Sequence, residues 1–262
     1  VKLSDQVAKI LVDNNITTVF GIIGSANAHI FDSIYFHEQI NLICMHHEQA
    51  CVMAAHGYYM QSGNIAAVLA TAGAGTTNLL TGVVGAWADS VPILIITGQE
   101  ATKQFKNKNT TRMIGIQGVF TESIYQSCTK SVMTCHSPEI AVREIEKSIK
   151  LIQTGRYGPS IIDIPIDVQG AEVNLNDIQL KTDNLIKKQE PFLELKSKDI
   201  DLIISEIKKS NKPVLWLGNG LRGMDSEELR NIILDLNIPY LTSWTANDLI
   251  NPIDNLYAGH AG

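Results

Sequence analysis

The sequence predicts an α/β fold, a doubly wound parallel sheet, followed by an incomplete second α/β domain. Three observations predict it. Strand-like and helix-like patterns alternate up to Pro165, the order expected of parallel strands joined by helical crossovers. Two strand candidates, Ala66-Ala-Val-Leu-Ala70 and Ile93-Leu-Ile-Ile96, are apolar at every position, as strands are when helices cover both faces of a sheet. A glycine-rich turn, Thr71-Ala-Gly-Ala-Gly-Thr-Thr-Asn78, follows the first of them and opens a helix.

The elements follow in order. Residues 4–15 form a helix that Ser4 can cap, with Val7, Ile10 and Leu11 on one face. The β-branched and aromatic run 18–22, bounded by glycine, is a strand. Further helices are predicted at 27–35, 48–61, 75–88 and 138–153, and further strands at 41–45, 65–71, 92–97, 130–134 and 160–164. From 173 to 198 the chain turns polar, with Asn174, Asn176, Asp177, Lys187, Lys188 and Pro191, as an interdomain linker does. A second unit then offers a helix at 197–209, a strand at 213–217, the turn Gly218-Asn-Gly220, a helix near 226–236 and a strand at 238–242. Two strands cannot bury a sheet on both faces. The expected division is therefore 1–170 for the first domain, 171–195 for the linker and 196–262 for a partial second domain.

Composition narrows the function classes. With 45% hydrophobic and 18% charged residues the chain is globular, and a net charge of -6 excludes nucleic acid as the main partner. Lys103, Lys106 and Lys108 form the tightest basic run and read as a solvated loop. None of the four cysteines forms a C-x-x-C pair, which points to a reducing compartment and thiols used as small hydrophobes. His46 and His47 on a strand would point to opposite faces, so no metal site is predicted. No apolar run is long enough to span a bilayer and no leader pattern opens the chain at Val1, so a cytoplasmic location is expected.

Two motifs carry chemistry. The Thr71–Asn78 turn is neither a Walker loop nor a full G-x-G-x-x-G, since Asn78 stands where the third glycine would be. It is open to two readings, a phosphate cradle and a tight turn that needs glycine. His47-Glu-Gln-Ala50 starts a helix that continues through apolar Cys51, Val52, Met53, Ala54 and Ala55. Glu48 can complement the helix dipole for ~0.3–1 kcal/mol. Alternatively, a carboxylate drawn out of water by such neighbours serves as a useful acid.

Together these stretches resemble the pyrimidine-binding domain of thiamine diphosphate enzymes in the acetolactate synthase and pyruvate oxidase group. The resemblance runs through Val19-Phe-Gly21, His47-Glu-Gln-Ala50 with Ala54, Ala55, Gly57 and Tyr58, the Thr71–Asn78 turn, Asp89-Ser-Val-Pro-Ile-Leu-Ile-Ile-Thr-Gly-Gln99, Thr154-Gly-Arg-Tyr-Gly-Pro159 and Ile162-Asp-Ile-Pro-Ile-Asp-Val168. Lys212-Pro-Val-Leu-Trp-Leu-Gly-Asn-Gly220 resembles the opening of the family's central domain. The resemblance implies that Glu48 hydrogen-bonds N1′ of the cofactor pyrimidine, favouring the 4′-imino form that takes the proton from thiazolium C2. It implies that Gly24, Ser25, Glu48, Thr71, Gly73, Gly75 and Asn78 line the cofactor and that Gln117 lies near the substrate. It also replaces the phosphate-cradle reading of the turn. In this family Mg²⁺ and the diphosphate are held by a Gly-Asp-Gly motif of a C-terminal domain, which does not occur in this sequence. The chain is therefore expected to hold half a site and to be catalytically silent alone.

Departures from the family pattern bear on substrate. Ile23-Gly-Ser25 replaces Pro-Gly-Gly, which leaves Ser25 as either a turn residue or a cofactor or substrate contact. Ala72-Gly-Ala-Gly-Thr-Thr-Asn78 lacks the family's proline. His56 stands where an acid is common and is read as a surface-facing helix residue, and Ile116 and Gly118 replace the usual neighbours of Gln117. The resemblance implies a transferase or lyase acting on a small-molecule 2-oxo acid by carboligation or decarboxylation, with thiamine diphosphate, Mg²⁺ and, in part of the family, FAD. A separate cofactor-binding subunit and a non-catalytic assembly or regulatory module are the alternatives. A homodimer or homotetramer is expected, meeting through the small-residue helices 48–61 and 75–88.

Overall fold

The computed structural model describes residues 1–107, 111–174, 195–250 and 255–261. The chain divides into two compact units, Val1–Gln189 and Glu190–Gly262. The first unit follows the order α1 (Leu3–Asp13), β1 (Thr18–Gly21), α2 (Ala28–Tyr35), β2 (Asn41–Cys44), α3 (Glu48–Ser62), β3 (Ala67–Ala70), α4 (Ala74–Asn78), α5 (Leu80–Ala88), β4 (Leu94–Gln99), α6 (Thr121–Tyr125), β5 (Ser131–Thr134), α7 (Pro138–Ile152), β6 (Ser160–Pro165) and α8 (Ile166–Gln169). Its six strands pair in parallel in the order β2-β1-β3-β4-β6-β5.

The continuous apolar strands have the double coverage that their sequence predicts. Ala67, Leu69, Leu94, Ile96, Ile162 and Ile164 point into one core with α1, α2 and α7. The residues between them, Val68, Ala70, Ile93, Ile95 and Ile161, point into a second core with α3, α5 and α6. Because side chains alternate across a strand, an apolar residue at every position serves both cores. Each fully buried aliphatic side chain contributes roughly 1.5–3 kcal/mol.

This order of strands has a consequence for function. From β1 the chain moves outward to β2, then returns to place β3 on the other side of β1. The loops after β1 and β3 thus leave neighbouring strands in opposite directions and open a crevice at the carboxyl ends, where ligands of open α/β sheets bind.

Several local expectations change. Ser4 does not cap α1; the helix starts one residue earlier behind Lys2, and the buried Ser4 hydroxyl accepts instead from Ser33 Oγ at 2.8 Å. The helix predicted at 75–88 is broken at Leu79, whose N–H bonds back to the Thr76 carbonyl in a 3₁₀ step. The Tyr125 hydroxyl donates to that same carbonyl, and such an insertion into the ladder bends a helix. His46 and His47 lie in the bend before α3 rather than on a strand. The short helices α6 and α8 have no predicted counterpart. Of the expected linker, residues 175–194 lie outside the described residues, as does Lys108.

The second unit contains α9 (Ser197–Lys209), β7 (Leu215–Leu217), α10 (Ser226–Leu236), β8 (Tyr240–Thr242) and β9 (Tyr257–His260). Its sheet has three strands in the order β7-β8-β9, one more than the two predicted. Tyr257-Ala-Gly-His260 lacks the apolar run by which strands are recognised, and the ladder with β8 is interrupted by an irregular register. Asp225 caps α10 by accepting from the N–H groups of Glu227 and Glu228. Arg222 grips Asp248 through both terminal nitrogens, at 2.9 and 2.7 Å, and holds that carboxyl below its ordinary range.

Candidate functional site

The crevice between β1 and β3 is built by backbone turns that three glycines make feasible. After β1, the chain turns through Gly24 into a 3₁₀ segment, Ser25–Asn27. The buried Asn27 side chain staples this turn, accepting from Gly24 N–H at 2.7 Å and donating to the Ile22 carbonyl at 2.9 Å. After β3, Thr71 reaches across, its Oγ1 accepting from Ala26 N–H at 3.3 Å. The two turns touch so closely that a Cβ on Gly24 would lie 2.5 Å from Thr71 side-chain atoms. Gly73 has φ +66°, and a Cβ there would meet the Gln117 carbonyl oxygen at 2.3 Å, so conformation and space both demand glycine.

Glu48 is the first residue of α3 and only 9% exposed. The helix is capped by the preceding residue: His47 Nδ1 accepts from Gln49 N–H at 3.1 Å, which fixes the N-terminal turn and the direction of the Glu48 side chain. That side chain reaches toward the Thr71–Asn78 turn, where Asn78 Nδ2 donates to Oε2 at 2.9 Å. The other oxygen, Oε1, faces Gly75, on which a Cβ would stand 3.3 Å from it and 2.7 Å from Thr71 Cγ2. Glycine here lets the turn after β3 pack directly against the carboxylate and Thr71, where a side chain would collide. Beneath it, burial first and the Glu48 charge second push the Cys51 thiol up to about 12, so this cysteine packs as a neutral hydrophobe.

The structure therefore brings Gly24, Glu48, Thr71, Gly73, Gly75 and Asn78 to one crevice. Ser25 is exposed at the start of its turn. Gln117 reaches the crevice by its backbone, whose carbonyl abuts Gly73 and whose N–H donates to Glu100 Oε1 at 3.2 Å. His56 is half-buried on α3 with Nε2 3.4 Å from Asp89 Oδ2, which corrects the expectation of a surface-facing residue. Among the described residues, no group of three or more His, Cys, Asp or Glu side chains could hold a metal ion. No helix among them is long and apolar enough to cross a membrane.

Two features escaped sequence reasoning. One is the Asn27 staple, whose only signal is an amide two residues after an exposed turn. The other is Asp163 on β6, fully buried, which accepts from Thr97 Oγ1 at 2.7 Å, Gln99 Nε2 at 2.9 Å and Thr134 Oγ1 at 3.2 Å. Burial pushes this carboxyl up to about 6 despite those donors. A lone acid inside Ile161-Ile-Asp-Ile164 is the sequence signal for it. Gln99 Nε2 also donates to the Val119 carbonyl, tying to the sheet the turn that Ile114 and Gly118 close around Gln117.

Similarity to known proteins runs along the chain. Residues 1–127 match the family described as thiamine pyrophosphate enzyme, N-terminal TPP binding domain. Along the chain as a whole, a probable acetolactate synthase large subunit of Methanococcus aeolicus is 30% identical over 260 residues, covering 99% of this chain and 42% of that protein. The acetolactate synthase large subunits of Corynebacterium glutamicum and Pyropia yezoensis are 30% and 29% identical, over 98% and 96% of this chain and 40% and 42% of their own lengths. The chain thus spans about two fifths of these relatives. Residues 1–127 carry the N-terminal TPP binding domain of thiamine pyrophosphate enzymes, and nearly the whole chain is similar to acetolactate synthase large subunits over about two fifths of their length.

Proposed function

We propose that this chain forms the aminopyrimidine half of a thiamine diphosphate site in an acetolactate synthase-like transferase or lyase that acts on a 2-oxo acid. The observation that carries the reading is a buried Glu48 carboxylate at the switch point of the sheet, with one oxygen bonded to Asn78 and the other against Gly75. A carboxylate so placed fits a heterocycle that must be protonated at a ring nitrogen. Low solvation strengthens the hydrogen bond it can offer, and the capped α3 terminus keeps it from swinging away. When bound, the cofactor supplies the electron sink for the bond broken or made at the substrate carbonyl. Glu48 would hold the proton at the pyrimidine nitrogen, and Gly24, Thr71 and Gly73 would line the ring's site.

Magnesium and the diphosphate belong, in this reading, to another surface outside the crevice, so the residues here supply half of the chemistry. The same reading places the enzyme in the cytoplasm, leaves room for FAD and joins two copies across α3 and α5. Small residues on those helices support the pairing, since nothing stands within 4 Å of a Cβ built on Gly57 or Gly85. The test is Glu48→Gln in the intact holoenzyme, read by hydrogen–deuterium exchange at cofactor C2. Exchange is expected to slow by roughly two to four orders of magnitude. Near-normal exchange would remove Glu48 from this role.

A further inference from the structure

We propose that Asn78 is the positioning residue of Glu48, holding Oε2 and thereby fixing the direction of Oε1 beside Gly75, rather than a residue whose main task is to touch the cofactor. The inference rests on the reading of Glu48 given above and extends it to the residue that orients the carboxylate.

Three observations carry it. The Asn78 amide donates to Glu48 Oε2 at 2.9 Å, across 30 residues of sequence. Glu48 is buried while Asn78 is exposed, so the amide comes to the carboxylate from the rim. The two oxygens are then unequal: Oε2 is engaged, and Oε1 faces Gly75, where even a methyl group would sit at 3.3 Å. A carboxylate on a side chain with three rotatable bonds has several rotamers, and one fixed donor selects among them.

The break between α4 and α5 serves the same end. Asn78 is the last residue of α4, and the 3₁₀ step at Leu79 follows it directly. The Tyr125 hydroxyl on the Thr76 carbonyl, with Thr76 Oγ1 donating to the Thr71 carbonyl at 2.9 Å, pins the short helix between turn and core. In an unbroken helix from 74 to 88, residue 78 would be set by the helix axis alone. The break lets the turn aim this amide independently of α5.

An Asn at this place is chemically selective. It donates without adding charge, so it steadies an ionised carboxylate and also tolerates a protonated one, as a proton-sharing group needs. A Lys would clamp the ionised form, and an Asp would oppose it.

The experiment compares Asn78→Ala, Asn78→Asp and Glu48→Gln in the full-length holoenzyme, and adds a measurement that needs no turnover. In the cofactor-free protein labelled with ¹⁵N, the Asn78 side-chain amide resonances should shift in Glu48→Gln and show slowed exchange with water in the wild type. In the holoenzyme, Asn78→Ala should slow C2 exchange about tenfold or more, the effect of losing a hydrogen bond to a charged group, while the cofactor Kd changes less than threefold. Asn78→Asp should be slower still at neutral pH, with activity partly recovered as pH falls and one of the two acids takes up a proton. Circular dichroism melts identify any variant that fails to fold, and the amide measurement on wild type then decides. Wild-type exchange at C2 in Asn78→Ala, a loss confined to cofactor affinity, or an Asn78 amide indifferent to Glu48→Gln would each overturn the inference. If Glu48→Gln itself leaves C2 exchange unchanged, the reading of Glu48 fails; if only the Asn78 variants do, that reading stands and the positioning role alone is lost.

Discussion

A glycine at the end of β4 shows how sharply one residue can be constrained in this fold. Gly98 lies where a Cβ would come within 1.9 Å of the Ala26 carbonyl oxygen and 2.4 Å of its carbon. Both are main-chain atoms of the turn after β1, the turn that Asn27 staples and Thr71 braces. Relief would require moving the turn, since backbone cannot rotate out of the way as a side chain can. Gly98→Ala is therefore expected to cost about 3 kcal/mol or more, read as a lowered urea midpoint with an unchanged slope. A midpoint within experimental error of the wild type would show that the turn yields freely. The motif Thr97-Gly98-Gln99 was legible in the sequence as part of the resemblance, but the reason for its glycine was not. That reason lies 72 residues away along the chain, at Ala26, where no local pattern signals it.

Between elements, the buried cluster at the carboxyl ends of β4, β5 and β6 makes stability depend on pH. Thr97 and Gln99 come from β4, Thr134 from β5 and Asp163 from β6, so one carboxylate ties three strands. Its folded value of about 6 stands above the ordinary 3.8. Between those values the folded protein holds the proton more tightly than the unfolded chain. Stability from this group is then greatest below pH 3.8, falls as pH rises through the window and is level above about 6, a change on the order of 3 kcal/mol. The check is urea unfolding from pH 4 to 7 in wild type and Asp163→Ala. The variant is less stable throughout because it loses three acceptor contacts, yet its decline over this window should be flatter. Equal slopes would mean that other acids carry the dependence. Elements themselves were legible where their pattern was long. The apolar runs of β3 and β4 were recognised to within two residues at each end, and the helix α7 to within one. The helix break at Leu79 was not, because Tyr125 causes it from another element. Nor was β9, whose four residues owe their strand state to pairing with β8 rather than to their own propensity. At the crevice, Glu48 and the glycine turn were visible as motifs, whereas the bond between Glu48 and Asn78 depends on how two loops meet.

At the scale of the molecule, the two units bury very different amounts of apolar surface. The first has a core on each face of its sheet. Among the described residues the second has one small cluster around Leu217, Leu229, Ile233, Tyr240 and Ile250, and α9 buries no residue at all. The first unit nevertheless leaves apolar surface uncovered. Leu80, Val84 and Trp87 recur at helical spacing along α5 and are 36%, 46% and 40% exposed, and Met53 of the neighbouring α3 is 50% exposed. Monomers seldom leave such a stripe in water, and a twofold contact covers it with its own copy. Small residues flank it: Gly57 on α3 and Gly85 on α5 have open space above their backbones, so a second pair of helices can approach closely. The proposed dimer has a further logic, because Glu48 begins α3 and Asn78 ends α4, separated from α5 only by Leu79, and pairing across these helices would shield the rim of the crevice from water. Sedimentation velocity of the intact protein is expected to show a concentration-dependent dimer or larger even-numbered species. Val84→Glu, which sets a charge in the middle of the stripe, should weaken association about tenfold or more without lowering the thermal midpoint of the subunit. A wild-type protein that remains monomeric at roughly 100 μM, weaker than the micromolar range in which specific contacts usually begin, would remove α3 and α5 as the meeting surface.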